Sequence, residues 1–195
     1  MSENPPASEV TDSSDQIAVR RSKRERLLAR GEEPYPVSVP VTATIAEVRA
    51  EYGHLEAGVE TDDEVGVSGR VVFQRNTGKL AFVPLQDGAG ERLQIMASQA
   101  VIGEERLADL KADVDLGDHV FFHGRVGASR RGELSIFADS WQMAAKAVRP
   151  LPVLHALASD DPADAELQRL LLSDLDDDAD LARALELLRA HRAME

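Results

Sequence analysis

The sequence contains no cysteine and no long apolar run, and these two absences exclude several kinds of function. Without cysteine among its 195 residues, the chain can form no disulfide, thiolate catalyst or thiolate metal site. The first 15 residues are polar and acidic and contain no apolar stretch typical of a signal peptide. No run of about 18 apolar residues is present that could cross a bilayer. We therefore expect a soluble, cytoplasmic protein with no membrane partner.

Basic residues are fewer than acidic ones, and the net charge is −13. This excess argues against indiscriminate binding of polyanions. The acidity lies mostly in the flanks, because residues 150–195 carry −7 whereas residues 65–149 carry +1. Six basic side chains also occur close together near the N-terminus: Arg20, Arg21, Lys23, Arg24, Arg26 and Arg30. A local anion-binding face is therefore compatible with the overall charge.

The residues that could bind a metal ion are too far apart or of the wrong type. His119 and His123 share a strand face, but at about 3.3 Å per residue they are about 13 Å apart, too far to hold one ion. The acidic run at 174–180 is similar to a calcium loop only in its charge, because Ala179 stands where an EF-hand needs glycine. We expect no metal site and no cofactor.

Residues 79–96 have the pattern of a β-hairpin. Two apolar runs flank Asp87-Gly88-Ala89-Gly90, a glycine-bearing connection typical of such turns. Because successive strand residues point to opposite faces, one face carries the apolar set Ala81, Val83, Leu85, Leu93, Ile95 and Ala97. Phe82 and Gln94 then point to the other face, which should meet water. An exposed aromatic ring beside an amide suits base stacking and hydrogen bonding to base edges.

Five strand-like segments occur between residues 64 and 144. They are 64–74, the two strands of the hairpin, 118–127 and 132–143, with a helical stretch at 104–111 between the third and the fourth. In the first segment Val65, Val67, Val71 and Phe73 share one parity and are predicted to face the core. Three strands, a helix and a second hairpin form the element order of an OB-fold, a five-stranded barrel. The predicted class is therefore mainly β with helices.

The alternation and the composition divide the chain into four regions. They are a disordered acidic N-terminus over 1–15, a helical extension over 16–63, the OB-fold over 64–149 and an acidic helical tail over 150–195. Within the extension we expect a helix that ends at Gly31, a second helix over 45–52 and an acidic loop over 56–64. The basic first helix is expected either to be solvated or to contact phosphates.

Eight segments, in order, carry a resemblance that covers residues 16–152. They are Arg-Gly-Glu-Glu-Pro-Tyr-Pro at 30–36, Ala-Glu-Val-Arg-Ala-Glu-Tyr-Gly at 46–53, Val-Ser-Gly-Arg-Val at 67–71, Gly-Lys-Leu-Ala-Phe at 78–82, Leu-Gln-Asp-Gly at 85–88, Leu-Gly-Asp at 116–118, Arg-Gly-Glu-Leu-Ser-Ile at 131–136 and Lys-Ala-Val-Arg-Pro-Leu-Pro at 146–152. This series closely resembles the N-terminal, anticodon-binding domain of class II lysyl-tRNA synthetases. The resemblance implies a reader of uridine-rich, lysine-type anticodons.

The resemblance also implies which side chains meet RNA. The aromatic ring at Phe82 would stack on an anticodon base, and Arg75, Gln94 and Glu133 would contact bases nearby. Strand parity independently places Phe82, Gln94 and Glu133 on the outer face. It places Arg75 with the core residues of its strand unless a bulge intervenes. The alternatives are a Phe82 ring packed under the N-terminal helix and a Gln94 amide that is simply exposed.

In that family the segment at 146–152 leads into a large catalytic domain. Here 43 residues follow, in which we recognise no ATP motif and only a remnant of the opening helix. We therefore predict a non-catalytic, RNA-binding protein whose partner is the tRNA anticodon arm. The alternative is a protein-interaction module in which the tail from residue 154 binds a full-length synthetase or another translation component. The acidic tail could also fold over the basic helix, and a decaying paralogue with no selected role is a third reading.

Overall fold

A computed structural model describes residues 13–150, and the barrel within them is built from six strands. These are β1 (Glu60–Val71), β2 (Arg75–Thr77), β3 (Leu80–Gln86), β4 (Arg92–Ser98), β5 (His119–Ala128) and β6 (Leu134–Ala145). Their order is β1-β5-β6-β4-β3-β2, and a further pairing of β1 with β3 closes the sheet. Since β2 continues the path of β1 after a short break, the barrel has the five strands of an OB-fold, as predicted. The predictions for residues 1–12 and 151–195 lie outside the described residues.

Four helices accompany the strands in the described part of the chain. They are α1 (Ser13–Ala29), α2 (Ile45–Tyr52), α3 (Gln99–Ile102) and α4 (Glu104–Asp113). The predicted second helix is confirmed at 45–52, where Thr44 and Glu47 form a reciprocal capping box. Gly103, at φ 84°, separates α3 from α4, and only the second of this pair was predicted. Among residues 13–150 the helices are too short or too polar to span a membrane.

The core lies inside the barrel and follows the predicted alternation. Along β3 and β4 every second residue is buried, and the buried positions are the six apolar ones named above. Leu27 of α1 and Ile45 of α2 are also fully buried, which attaches both helices to the barrel core. Burying such side chains contributes about 1.5–3 kcal/mol each.

Two predictions for the first strand are wrong. Phe73 is 54% exposed rather than in the core, because β1 ends at Val71 and the alternation stops there. The strand also begins at Glu60, within the segment predicted to be an acidic loop. Backbone pairing with β5 continues there to Glu60, past an irregularity at which Thr61 Oγ1 donates to the carbonyl of Val126.

The basic helix α1 is held by acidic residues at the end of α4. Arg26 and Arg30 both bind the carboxylate of Asp113 at 2.6 and 2.7 Å, and Lys23 binds Asp115 at 2.5 Å. These three basic side chains are therefore neither simply solvated nor directed at an external phosphate. Arg26 and Arg30 neutralise the carboxylate of Asp113, which is buried and would otherwise lie without a charged partner.

A buried lysine lies beside this helix contact. Lys146 Nζ donates to the carboxylates of Asp115 at 2.6 Å and Asp118 at 2.7 Å and to the carbonyl of Asp113 at 2.8 Å. Burial raises the pKa of Asp115, but hydrogen bonds from Lys146 and Lys23 outweigh it, so that its pKa lies below the ordinary value. The cluster fixes the end of β6 against the segment that follows α4.

Candidate nucleic-acid interface

The outer face of the barrel carries one continuous row of side chains across neighbouring strands. Strand register places Arg75 of β2 opposite Phe82 of β3, Phe82 opposite Met96 of β4, and Met96 opposite Phe137 of β6. Phe82, Met96 and Phe137 are all partly exposed. An aromatic-rich row that meets water on a sheet is unlike a core and provides a stacking surface.

Arg75 reaches this row because the chain breaks between β1 and β2. Strict alternation from Val71 would have turned Arg75 inward, but residues 72–74 leave the strand and β2 restarts with its own register. The Arg75 guanidinium carbon then lies 4.7 Å from the centroid of the Phe82 ring, a cation–π contact. The break therefore explains why Arg75 lies on the outer face, although strict alternation along β1 would have placed it in the core.

Pro84 occupies the point where the strand partner of β3 changes. β2 pairs with residues 80–82 and β1 pairs with residues 85–86, so neither partner lies directly opposite Pro84. Its carbonyl accepts a hydrogen bond from the backbone N–H of Val72. The N and C=O of a strand residue point to the same side of the strand. The N–H that proline lacks would therefore point between the ends of β1 and β2, where no strand partner lies, so no hydrogen bond of the ladder is lost.

Gln94 lies on the outer face, as the alternation predicts, and its amide is held in place. Nε2 of Gln94 donates to Oγ of Ser135 at 2.8 Å, across the parallel pairing of β4 with β6. Ser135 in turn donates to the backbone carbonyl of Glu133 at 2.9 Å. The amide is therefore not a free surface group.

Glu133 is exposed at the end of the turn before β6. The turn is closed by Ser129, whose backbone N–H donates to the carbonyl of Glu133 and whose hydroxyl accepts from the N–H of Glu133. Gly132 takes φ 87°, a conformation that suits glycine. The exposed side chains of Arg130 and Arg131 are in the same turn. The register of β4 with β6 brings this turn toward the end of β4 at which Gln94 lies.

The sequence reasoning missed Met96, Phe137 and Ser135. Each shares the outward parity of Gln94 or Glu133, so the same alternation contains the information needed to find them. Phe137 lies close over β5, where a Cβ placed on Gly127 would come within 2.8 Å of its ring. Glycine at 127 is thus what leaves room for the ring on the outer face.

Charges of both signs surround the row. Arg125 of β5 is opposite Phe137 and binds Glu60 at 3.3 Å, with both side chains nearly half exposed. Farther along the same two strands, Nδ1 of His123 lies 3.0 Å from the carboxylate of Asp139. Across residues 13–150 there is no group of three or more His, Cys, Asp or Glu side chains able to hold a metal ion.

The barrel matches a known domain family. Residues 65–144 match the family described as the OB-fold nucleic acid binding domain, tRNA_anti-codon. This range runs from within β1 to within β6, and it contains all four predicted site residues. The fold and the resemblance of the sequence to anticodon-binding domains are therefore both confirmed.

Related proteins are similar to most of this chain, although the chain matches only part of each of them. A lysine–tRNA ligase of Kineococcus radiotolerans is 60% identical over 156 residues, which are 80% of this chain and 31% of the ligase. That of Mycolicibacterium gilvum is 58% identical over 144 residues, 74% of this chain and 29% of the ligase. That of a Synechococcus strain is 38% identical over 140 residues, 71% of this chain and 28% of the ligase. The chain thus spans about three tenths of the length of these relatives.

Proposed function

Because the chain carries an OB-fold nucleic acid binding domain that matches the N-terminal domain of lysine–tRNA ligases, we propose that it binds RNA on the outer face of β2, β3, β4 and β6. The observation that carries the proposal is the grouping of Phe82, Arg75 and Gln94. A partly exposed ring, a guanidinium stacked on it at 4.7 Å and an oriented amide lie on adjacent strands.

These groups suit unpaired bases better than a duplex. A base must be unstacked from its neighbours before it can lie on an aromatic side chain, and loops and ends of RNA offer such bases. A stacked base contributes about 1–3 kcal/mol as measured by alanine substitution. Arg75 also places a positive charge beside the ring, where it can meet a phosphate of the same nucleotide. The preferred ligand is therefore a single-stranded loop.

Within this class we propose the anticodon arm of a lysine tRNA as the ligand. The relatives are named lysine–tRNA ligases, and the aligned part of each contains this domain. In this proposal Phe82 stacks on an anticodon base, and Arg75, Gln94 and Glu133 contact bases beside it. The charge of Arg75 also meets the phosphate of the stacked nucleotide. A protein that binds tRNA would act in the cytoplasm.

We propose further that these 195 residues bind RNA without catalysing aminoacylation. The alignment to the Kineococcus ligase covers 31% of that enzyme, and the matched family is a binding domain. The alternative of a protein-interaction module depends on the tail from residue 154, outside the described residues, and stays a prediction. The idea that the acidic tail covers the basic helix also concerns residues outside the described ones and likewise stays a prediction.

The test is binding of the full chain to an anticodon-arm hairpin of lysine tRNA and to a hairpin of an unrelated tRNA, at two salt concentrations. We expect a preference for the lysine hairpin that survives moderate salt, because base contacts depend less on salt than phosphate contacts do. Phe82→Ala should abolish the preference. The matched control is Tyr35→Ala, since Tyr35 is 45% exposed and its hydroxyl donates to the carbonyl of Lys146, outside the row. Equal binding of both hairpins by the wild type would contradict the proposal.

A further inference from the structure

The hydroxyl of Ser135 joins two of the residues proposed to read RNA. It accepts from Nε2 of Gln94 at 2.8 Å and donates to the backbone carbonyl of Glu133 at 2.9 Å. Ser135 is fully buried, although it stands on the outward parity of β6 between Glu133 and Phe137. Because the hydroxyl of Ser135 is buried on the outer side of the sheet, neighbouring side chains on the outer face must cover it. Its hydrogen bond with Gln94 shows that Gln94 is one of these neighbours.

The number of protons determines how the amide of Gln94 is oriented. A serine hydroxyl has one proton and a carbonyl oxygen has none, so the contact with Glu133 uses the only proton of Ser135. Ser135 can then only accept from Gln94, and the group that faces it must be the NH₂ of the amide. If Oε1 of Gln94 faced the hydroxyl of Ser135 instead, neither oxygen would have a proton to share between them. The assignment of N and O therefore follows from the network.

This orientation leaves Oε1 of Gln94 available as a hydrogen-bond acceptor on the face. Gln94 is opposite Pro84, and Phe82 lies two residues before Pro84 on the same face of β3. Such diagonal neighbours have side chains about 7–8 Å apart, within reach of a base stacked on the ring. The edge of that base can therefore meet Oε1.

We propose that Ser135 is a positioning residue that turns the oxygen of Gln94 outward, so that the site selects a base with a proton on its ring nitrogen. Where the stack sets the ring nitrogen of the base against Oε1, uracil donates from N3–H and guanine from N1–H, whereas the corresponding nitrogen of cytosine or adenine is bare and only accepts. The inference rests on the proposed function and adds a reason for discrimination at one base. Without Ser135, the amide rotates by 180° and accommodates either kind of base.

The experiment uses the full chain and an anticodon-stem hairpin whose anticodon is three uridines. Companion hairpins carry cytidine or N3-methyluridine at each anticodon position in turn, and binding is followed by fluorescence anisotropy. Ser135→Ala should fold, because the carbonyl of Glu133 keeps its bond from the N–H of Ser129 at 2.8 Å. Ser68→Ala is the matched control, since that hydroxyl donates to the carbonyl of Val120 in the adjacent strand.

At one of the three anticodon positions, replacing uridine should weaken binding to the wild type about tenfold. This is the effect of losing one hydrogen bond in a buried contact. Ser135→Ala should reduce this preference to about twofold or less, and Ser68→Ala should leave it unchanged. The double variant Gln94→Ala with Ser135→Ala should behave like Gln94→Ala alone, because Ser135 acts only through Gln94.

Two results would overturn the inference alone. The first is a uridine preference that persists in Ser135→Ala but is still lost in Phe82→Ala. The second is a double variant whose loss of affinity equals the sum of the losses in the two single variants, as expected if Ser135 were merely structural. If the wild type binds none of the hairpins, the proposed function fails and this inference fails with it.

Discussion

The guanidinium carbon of Arg75 lies 4.7 Å from the ring centroid of Phe82, and strand register places the two residues directly opposite each other. The arginine lies over one side of the ring, and in the proposed site a base would stack on the other side. It also positions the ring on an exposed face, where a lone phenylalanine would be free to change rotamer. We therefore expect the pair to act as one preorganised platform for a base.

Replacing Arg75 tests this platform. Arg75→Ala should weaken binding of the lysine-tRNA hairpin and lower the slope of log K against log salt by about one, because one phosphate contact is lost. Arg75→Lys should keep the slope but recover only part of the affinity, since an ammonium group stacks less well than a planar guanidinium. Titrations at several salt concentrations give both quantities. A full recovery by lysine would mean that charge alone matters.

Phe137 is expected to be a second stacking position. It lies two strands away from Phe82 in the same row, at a distance of roughly 9–10 Å across β4. Phe137→Ala should weaken hairpin binding by about 1–3 kcal/mol, the range for one stacked base. Val101→Ala serves as the control, because Val101 is 54% exposed on α3 and is not in the row. Unchanged affinity in Phe137→Ala would restrict stacking to Phe82.

The buried lysine is expected to govern stability rather than binding. Lys146→Met should lower the free energy of unfolding by about 3–5 kcal/mol, because it leaves the buried carboxylates of Asp115 and Asp118 without their shared cation. Urea unfolding followed by circular dichroism measures this loss. Lys79→Met, at an exposed position, should change stability by less than about 0.5 kcal/mol. Equal midpoints for the two variants would contradict the assigned role.

Acid should destabilise the domain partly through Asp115. Its pKa is depressed in the folded state because the hydrogen bonds from Lys146 and Lys23 outweigh the effect of burial. A depressed carboxyl pKa contributes stability above the ordinary value, near pH 4, and the contribution is lost as the pH falls through the folded value. Asp115→Asn should therefore cost more stability at pH 6 than at pH 3 in urea titrations. Glu56→Gln, at an exposed position, is the matched control.

Local patterns in the sequence were enough to predict the barrel and most of the face that we propose binds RNA. Alternation in the hairpin assigned Ala81, Val83 and Leu85 to the core and Phe82 to the outside, because strand geometry leaves only two faces. The order of strands and helix then indicated the OB-fold, and the ordered segments indicated the family. Both outcomes depend on local periodicity, which a single sequence contains.

Tertiary structure decided the contacts between residues that are distant in the chain. The break after Val71 exposed Phe73 and brought Arg75 onto Phe82, and no local pattern marks where a strand stops pairing. The bond from Gln94 to Ser135 spans 41 positions, and those from Arg26 to Asp113 span 87. Such partners are set by how the closed barrel brings β4 beside β6 and α1 beside α4. They depend on three-dimensional closure, and strand periodicity carries no information about it.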